Sequence, residues 1–168
     1  METGFSPLSP EGVQDNVFKL IGKDWMLITA GTSDSFNTMT ASWGGMGVLW
    51  DKKACFAFVR PTRFTFEFLE KSETYTLSFL DEQYKDILMY CGTKSGRDVN
   101  KVAETSLTPV FEKGAVFFAE ARLIMECRKV YFHDIAPANF LDSTIDEYYP
   151  RKDYHRMYIG QIIRCLQR

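Results

Sequence analysis

The chain has 168 residues, and its 20 Lys+Arg against 22 Asp+Glu leave a net charge of −2, with no basic excess to drive binding to phosphate backbones; nucleic acid is excluded as a main partner. Hydrophobic residues make up 45% and charged residues 25%, which excludes a disordered chain and a disulfide-dense miniature scaffold. Folding a chain of this length buries roughly 70% of its extended surface, enough for one domain spanning residues 1–168.

From the N-terminus, Met1 to Gly12 carries Pro7, Pro10 and acidic residues without a basic start or an apolar run. It does not read as a secretory leader, and the cytoplasm is the expected location. Trp25 to Ala30, closed by Gly31, is rich in strand formers and runs into a turn at Gly31 to Asp34. Asn37 to Trp43 alternates small or polar with apolar residues and reads as a strand entering a glycine loop at Gly44, Gly45 and Gly47. Ala54 to Val59 is an almost continuous apolar strand, bounded by Lys53 and by Arg60-Pro61. Thr62 is the expected N-cap of a short helix ending at Lys71-Ser72, with Phe64, Phe68 and Leu69 on one face.

Tyr75 to Phe79 returns to strand alternation. Tyr84, Ile87, Leu88 and Cys91 then form a helical stripe over Gln83 to Tyr90, stopped by Gly92. After the loop Thr93 to Asp98, Asp98 is placed to cap a third short helix holding Val99, Val102 and Ala103. Val110 to Glu112, Ala115 to Ile124 and Met125 to Ile135 read as a long hairpin system turned at Lys113-Gly114. The apolar stretch Ala115 to Met125 is broken by Glu120 and Arg122, too short for a spanning helix. Pro137 to Pro150 reads as loop and helix, and His155 to Gln167 as the last strand. Strands dominate and no Pro/Gly/Ser-rich linker divides the chain, so the expected fold is mainly β, a barrel with short peripheral helices.

Cys55, Cys91, Cys127 and Cys165 form no C-x-x-C, and only His133 and His155 are available to join them, so reduced, buried thiols are expected and no metal site. The aromatic share is high at 15%, more rings than a core of this size needs, which points to a site for a flat ligand. Two clusters suit an anion. Arg60-Pro-Thr-Arg-Phe-Thr65 lies where a strand ends and a helix begins, bringing free N–H groups, hydroxyls and guanidinium groups together. The bland alternative pairs Arg60 and Arg63 with Glu67 or Glu70. Lys94-Ser-Gly-Arg-Asp-Val-Asn-Lys101 carries three cations beside Gly96; its alternative is a solvated loop with a helix cap. Asn37-Thr-Met-Thr-Ala-Ser-Trp-Gly-Gly45 puts small residues next to a ring, which lets backbone N–H groups approach a planar heterocycle. Trp43 and Trp50 are more often core or interface residues, and Gly44-Gly-Met-Gly47 is no dinucleotide fingerprint.

These stretches, N-T-M-T-A-S-W-G-G (37–45), R-P-T-R-F-T (60–65), S-G-R-D-V-N-K (95–101) and H-R-M-Y-I-G-Q-I (155–162), together resemble the flavoredoxin branch of the flavin reductase family of FMN-binding split barrels. The resemblance implies a six-stranded Greek-key split barrel, a homodimer and one FMN per subunit near the dimer interface. It implies that the segment from Asn37 through Thr38, Met39, Thr40, Ala41 and Ser42 to Trp43 lines the isoalloxazine ring and ribityl chain. Arg60, Thr62, Thr65, Ser95, Gly96, Arg97 and Lys101 would surround ribityl and phosphate oxygens. Relatives carry a glutamate where this chain has Gln161, and those that use a pyridine nucleotide place a histidine over the ring, for which His155 is the candidate.

The function this implies is an FMN-dependent oxidoreductase or electron carrier, fed by NAD(P)H or by a redox protein partner. Two alternatives are a non-catalytic flavin-binding or structural dimeric barrel, and a haem-binding split barrel, for which only two histidines are available.

Overall fold

The computed structural model describes residues 4–168; Met1 to Thr3 of the N-terminal segment read above lie outside them. Its elements in chain order are β1 (Ser6–Pro7), α1 (Val17–Lys19), β2 (Met26–Gly31), β3 (Phe36–Ala41), β4 (Gly44–Leu49), β5 (Lys52–Val59), α2 (Phe64–Lys71), β6 (Thr74–Leu80), α3 (Lys85–Thr93), α4 (Lys101–Glu104), β7 (Pro109–Glu112), β8 (Ala115–Phe118), β9 (Ala121–Asp134) and β10 (Arg156–Gln167). The fold is mainly β, with short helices around a large antiparallel sheet. The sheet order is β3-β2-β6-β9-β10-β5-β4, with β1 added on β10, and β7-β8 form a separate hairpin. No helix among the described residues is long and apolar enough to cross a membrane.

Apolar alternation drives this sheet. The inward side chains of β2, β5, β6, β9 and β10, including Ile28, Ala57, Leu77, Met125 and Tyr158, form one core cluster, while Leu27, Ile124, Phe117 and Phe118 pack a second beneath α3 and β8. All four cysteines are free and buried. The central strand β10 accommodates Tyr75 through Gly160: a Cβ there would overlap the Tyr75 hydroxyl and come within 2.7 Å of Cys127 Cβ.

The structure differs from the sequence expectation at several local points, one being α3, which Gly92 does not stop and which runs on to Thr93. Gly44 to Gly47 is a paired edge strand, not a loop. It faces β5 in register from Gly44↔Ala57 to Leu49↔Lys52. Trp50 and Asp51, with φ of 52° and 55°, close the hairpin as a two-residue turn of left-handed residues, a geometry the sequence does not announce because neither is Gly or Asn. Gly44 is required at its position, since a Cβ would sit 2.8 Å from Phe56 O. The N-cap position of α2 is Arg63 rather than Thr62, with no side-chain cap. Asn100, not Asp98, caps α4 through Oδ1 and the Ala103 N–H at 3.1 Å, because the 3-residue spacing to the first free N–H fits Asn100. The β7-β8 hairpin turns at Lys113-Gly114 as expected, but the strand expected from Ala115 to Ile124 is broken at Ala119-Glu120 between β8 and β9, which do not pair, and Glu120 fixes that corner by accepting the Thr108 N–H.

Replacing Gly160 with Ala should destabilise the protein by about 1–3 kcal/mol through overpacking against Tyr75 and Cys127. Urea denaturation measures it; an unchanged midpoint would show that this core yields without cost.

Candidate functional site

Two small pockets and a larger groove meet along β3. The first pocket, about 170 Å³, is lined by Met39 to Trp43, Phe58, Arg60, Arg63 and His155. Trp43 forms its half-exposed wall, edge-on to Tyr148 at 5.5 Å and tilted on His155 at 5.1 Å between ring centroids. The second, about 140 Å³, is lined by Asn37, Thr62 to Thr65, Gly92 to Gly96 and Lys101. Arg63 lines both, so the two are adjacent. The site residues predicted from the sequence therefore divide between these neighbouring pockets, except Thr38 and Arg97, which line only a larger groove beside them.

The strand wall is held by its hydroxyls. Thr40 Oγ1 donates to Leu88 O in α3 at 2.5 Å, and Thr38 Oγ1 bonds Thr29 Oγ1 at 2.9 Å. Asn37 Nδ2 donates to Thr65 Oγ1 at 2.7 Å, joining β3 to the first turn of α2. Gly96 packs against this link so closely that a Cβ would overlap Asn37 Oδ1, which is why the turn in the S-G-R-D segment needs glycine.

The cations face protein acceptors. Lys101, buried, donates from Nζ to Thr38 O and Cys91 O, each at 2.8 Å. Arg63 donates to Gly92 O at 2.9 Å and Cys91 O at 3.4 Å. Both thus satisfy carbonyls at the C-terminal end of α3, where the helix dipole favours positive charge. Arg60 pairs with Asp153 at 2.8 Å, donates to Tyr148 O and lies 4.9 Å from the Tyr149 ring. Thr62 Oγ1 reaches the other oxygen of Asp153. Arg97 bonds Thr62 O and Glu67. Neither Arg60 nor Arg63 pairs with Glu67 or Glu70; Glu70 instead meets Arg156 and the Tyr158 hydroxyl. Gln161 accepts from Arg128 at 2.9 Å.

Burial, with Arg60 nearby, pushes His155 down to about 4, so its imidazole is neutral near pH 7. Its Nδ1 is 2.8 Å from Tyr149 Oη. Burial likewise lowers Lys101 to about 8, with neighbouring Arg63 acting in the same sense and Cys91 opposing. Burial and then Arg60 lower Arg63. Burial opposes ionisation of Asp153, but the charge of Arg60 together with the hydrogen bonds from backbone, Thr62 and Arg60 holds the carboxyl low.

Sequence reasoning quoted Arg63 but did not select it as a site residue, and it missed Asp153, Tyr149 and Phe58. Arg63 was findable from its place before a helix. Asp153 was not, because its contact with Arg60 spans 93 positions.

The description of the flavin reductase like domain matches residues 19–168, and the chain belongs to that family. No curated protein matches the sequence. Among solved structures, it is similar to an FMN-binding domain of a flavin reductases-like enzyme from Shewanella baltica, with TM-score 0.70 at 15% identity, covering 98% of this chain and 77% of that one. It is similar to the flavoredoxin of Desulfovibrio vulgaris, with TM-score 0.67 and 22% identity over 86% of this chain and 69% of the other. It is also similar to an NADH:FAD oxidoreductase of Streptomyces globisporus, with TM-score 0.66 and 16% identity over 86% and 75%. At these identities the likeness concerns the fold.

Two pH effects are expected. His155 takes a proton at about pH 6.5 when unfolded but only near 4 when folded, so its contribution to stability is complete above 6.5 and is lost as pH falls toward 4. In NMR its ring protons should not titrate between pH 8 and 5, and a midpoint near 6.5 would contradict the burial. Lys101 acts in the same sense in an alkaline window. Its folded value of about 8 lies below the unfolded 10.5, so unfolding takes up a proton between them and stability gains from Lys101 as pH rises from 8 to 10.5. Comparing denaturation of the wild type and Lys101→Met over that range isolates this slope; identical slopes would refute it.

Proposed function

We propose that residues 1–168 form one FMN-binding domain of a flavoprotein oxidoreductase, with the ring in the Trp43 pocket and the phosphate in the Gly96 pocket. The observation that carries this is the adjacency of the two pockets across Arg63, one walled by a small-residue strand and aromatic rings, the other by hydroxyls and a helix start.

The residues fit such a ligand. The N-terminus of α2 has no side-chain cap, so its first N–H groups, with the hydroxyls of Thr65 and Ser95, offer donors to a phosphate, while the Thr62 hydroxyl donates to Asp153. The cations act one step back: Arg63 and Lys101 lend positive potential to this pocket while their hydrogen bonds go to carbonyls. When bound, FMN would supply the hydride or electron chemistry. The protein's part is to hold the ring against Met39 to Trp43, to exclude water with Trp43 and Tyr148, and to present a neutral imidazole. With Nδ1 engaged by Tyr149, His155 keeps Nε2 for a hydrogen bond to the bound ring or to a nicotinamide stacked on it. Electrons would come from NAD(P)H or a redox protein.

A homodimer in the cytoplasm belongs to the same reading. Val48 and Trp50 on the β4-β5 hairpin and Val130 to Phe132 on β9 make an exposed apolar surface, with Trp50 edge-on to Tyr131 at 5.9 Å. Free buried thiols suit a reducing compartment.

Titration of the protein with FMN and riboflavin, read by quenching of Trp43 emission, tests the assignment. Ser95→Asp keeps the acceptor that Ser95 Oγ offers the Arg97 N–H at 3.2 Å but puts a negative charge in the phosphate pocket. It should weaken FMN by about tenfold or more and leave riboflavin unchanged. Equal losses would remove the phosphate from this pocket, and no binding of either flavin would end the proposal. Anaerobic mixing of the FMN-loaded protein with NADH or NADPH, following loss of flavin absorbance, then identifies the donor.

A further inference from the structure

The interior of the sheet holds a group of side chains that the flavin reading does not use. Cys55 on β5, Cys127 and Met125 on β9 and Tyr75 on β6 belong to one core cluster, each 2% exposed or less. Cys55 Sγ lies 3.5 Å from Met125 Sδ. Burial, reinforced by the Cys55 thiol beside it, pushes the Cys127 thiol up, so Cys127 is protonated at neutral pH.

The strand register explains the convergence. Cys55 faces Gly160 of β10 from one side, and Cys127 pairs with Tyr75 on the other. Gly160 has no side chain to hold them apart: a Cβ there would overlap Tyr75 Oη and lie 2.7 Å from Cys127 Cβ. Three sulfurs therefore gather beside a phenol, and that phenol is unsatisfied. The Tyr75 hydroxyl is buried and has no hydrogen-bond partner among the described residues. An unpaired buried hydroxyl is costly, and its retention calls for a reason.

The donor set narrows the ligand. No three His, Cys, Asp or Glu side chains converge on a metal position among the described residues, so the cluster, with two thiols and a thioether, offers nothing to a hard divalent cation. Thiol and thioether sulfur select a soft ion such as Cu(I). Metal–sulfur bonds of about 2.3 Å, the length found for zinc thiolates, place the sulfurs of a trigonal set roughly 4 Å apart. The present spacing of Cys55 and Met125 is close to that.

We propose that Cys55, Cys127 and Met125 form a buried site for one Cu(I) ion, with the Tyr75 hydroxyl as hydrogen-bond donor to the Cys127 sulfur. Cu(I) takes the place of the Cys127 proton, which leaves to solvent, and no electron is transferred. Cation and thiolate enter the core together without net charge, which a dry interior accepts far more readily than a lone ion. Cys55 and Met125 complete the coordination with sulfur lone pairs, and the Tyr75 hydroxyl gains the acceptor it lacks. The chain conceals this set because Cys55 and Met125 stand 70 positions apart. The proposal is independent of the flavin reading.

Anaerobic titration of the reduced, full-length protein with Cu(I) held by a colorimetric Cu(I) chelator tests the site, read after equilibration because a buried position fills only as the core opens. One equivalent per chain should be withdrawn from the chelator, and the melting temperature should rise with the ion bound. Met125→Leu, a swap of nearly equal volume, and Cys127→Ala should each lower the affinity at least tenfold. Tyr75→Phe should weaken it about tenfold while the metal-free protein melts no lower than the wild type, since the lost hydroxyl had no partner. Cys91→Ala, in the other core cluster, should bind as the wild type does. Cooperative melting of each metal-free variant shows that it is folded. No withdrawal of Cu(I), a melting temperature that falls when Cu(I) is added, unchanged affinity in either folded sulfur variant, or loss of binding in Cys91→Ala would overturn the site; unchanged affinity in Tyr75→Phe would overturn the part given to the hydroxyl.

Discussion

The site depends on the C-terminal end of α3 and the three side chains that grip it. A helix leaves its last carbonyls without partners, and here Cys91 O and Gly92 O accept from Lys101 and Arg63, while Leu88 O takes the Thr40 hydroxyl. Lys101 and Thr40 tie that helix end to β3, the strand that walls the first pocket, because Lys101 also binds Thr38 O. Arg63 ties it to the start of α2, which walls the second. One helix terminus therefore sets the distance between the two pockets, and the positive charge drawn to it by the helix dipole stands beside the proposed phosphate position.

This arrangement changes what the basic residues are for. A guanidinium or ammonium bonds a carbonyl as readily as a phosphate oxygen, so a cluster of cations in sequence does not say which it will meet. In this protein the cations build the frame, and the hydroxyls of Thr62, Thr65 and Ser95, with the uncapped start of α2, line the space that frame encloses. Arg60 plays the same part for the segment before β10. By pairing with Asp153 and reaching Tyr148 O it holds Tyr148 beside Trp43, and its charge helps keep His155 neutral.

The strands and helices were mostly legible because burial imposes a period on the side chains. Trp25 to Ala30, Ala54 to Val59 and Tyr75 to Phe79 show the runs that a sheet interior requires, and the Tyr84 to Cys91 stripe shows the helix of α3. Local deviations appeared where identity and geometry part company. The β4 hairpin turns on Trp50 and Asp51, residues that take left-handed backbone only under tertiary constraint, and of its glycines Gly44 serves close packing against β5 rather than a loop. The cap of α4 went to Asn100 because only the folded backbone decides which of two polar residues, Asp98 or Asn100, has the N–H groups within reach.

Composition and periodicity pointed to a mainly β chain, since these follow from which residues a sheet must bury, while the family was implied by the resemblance of four motifs and shown by the family match. Which partner each charged side chain takes was decided only by the tertiary structure. The Arg60–Asp153 pair, the Lys101 contacts with Thr38 and Cys91, and the packing of Gly96 against Asn37 and Phe64 all join segments distant in sequence. Hydrogen bonds and ion pairs act over a few ångströms, and the separation of two residues along a chain carries no information about that distance until the chain has folded.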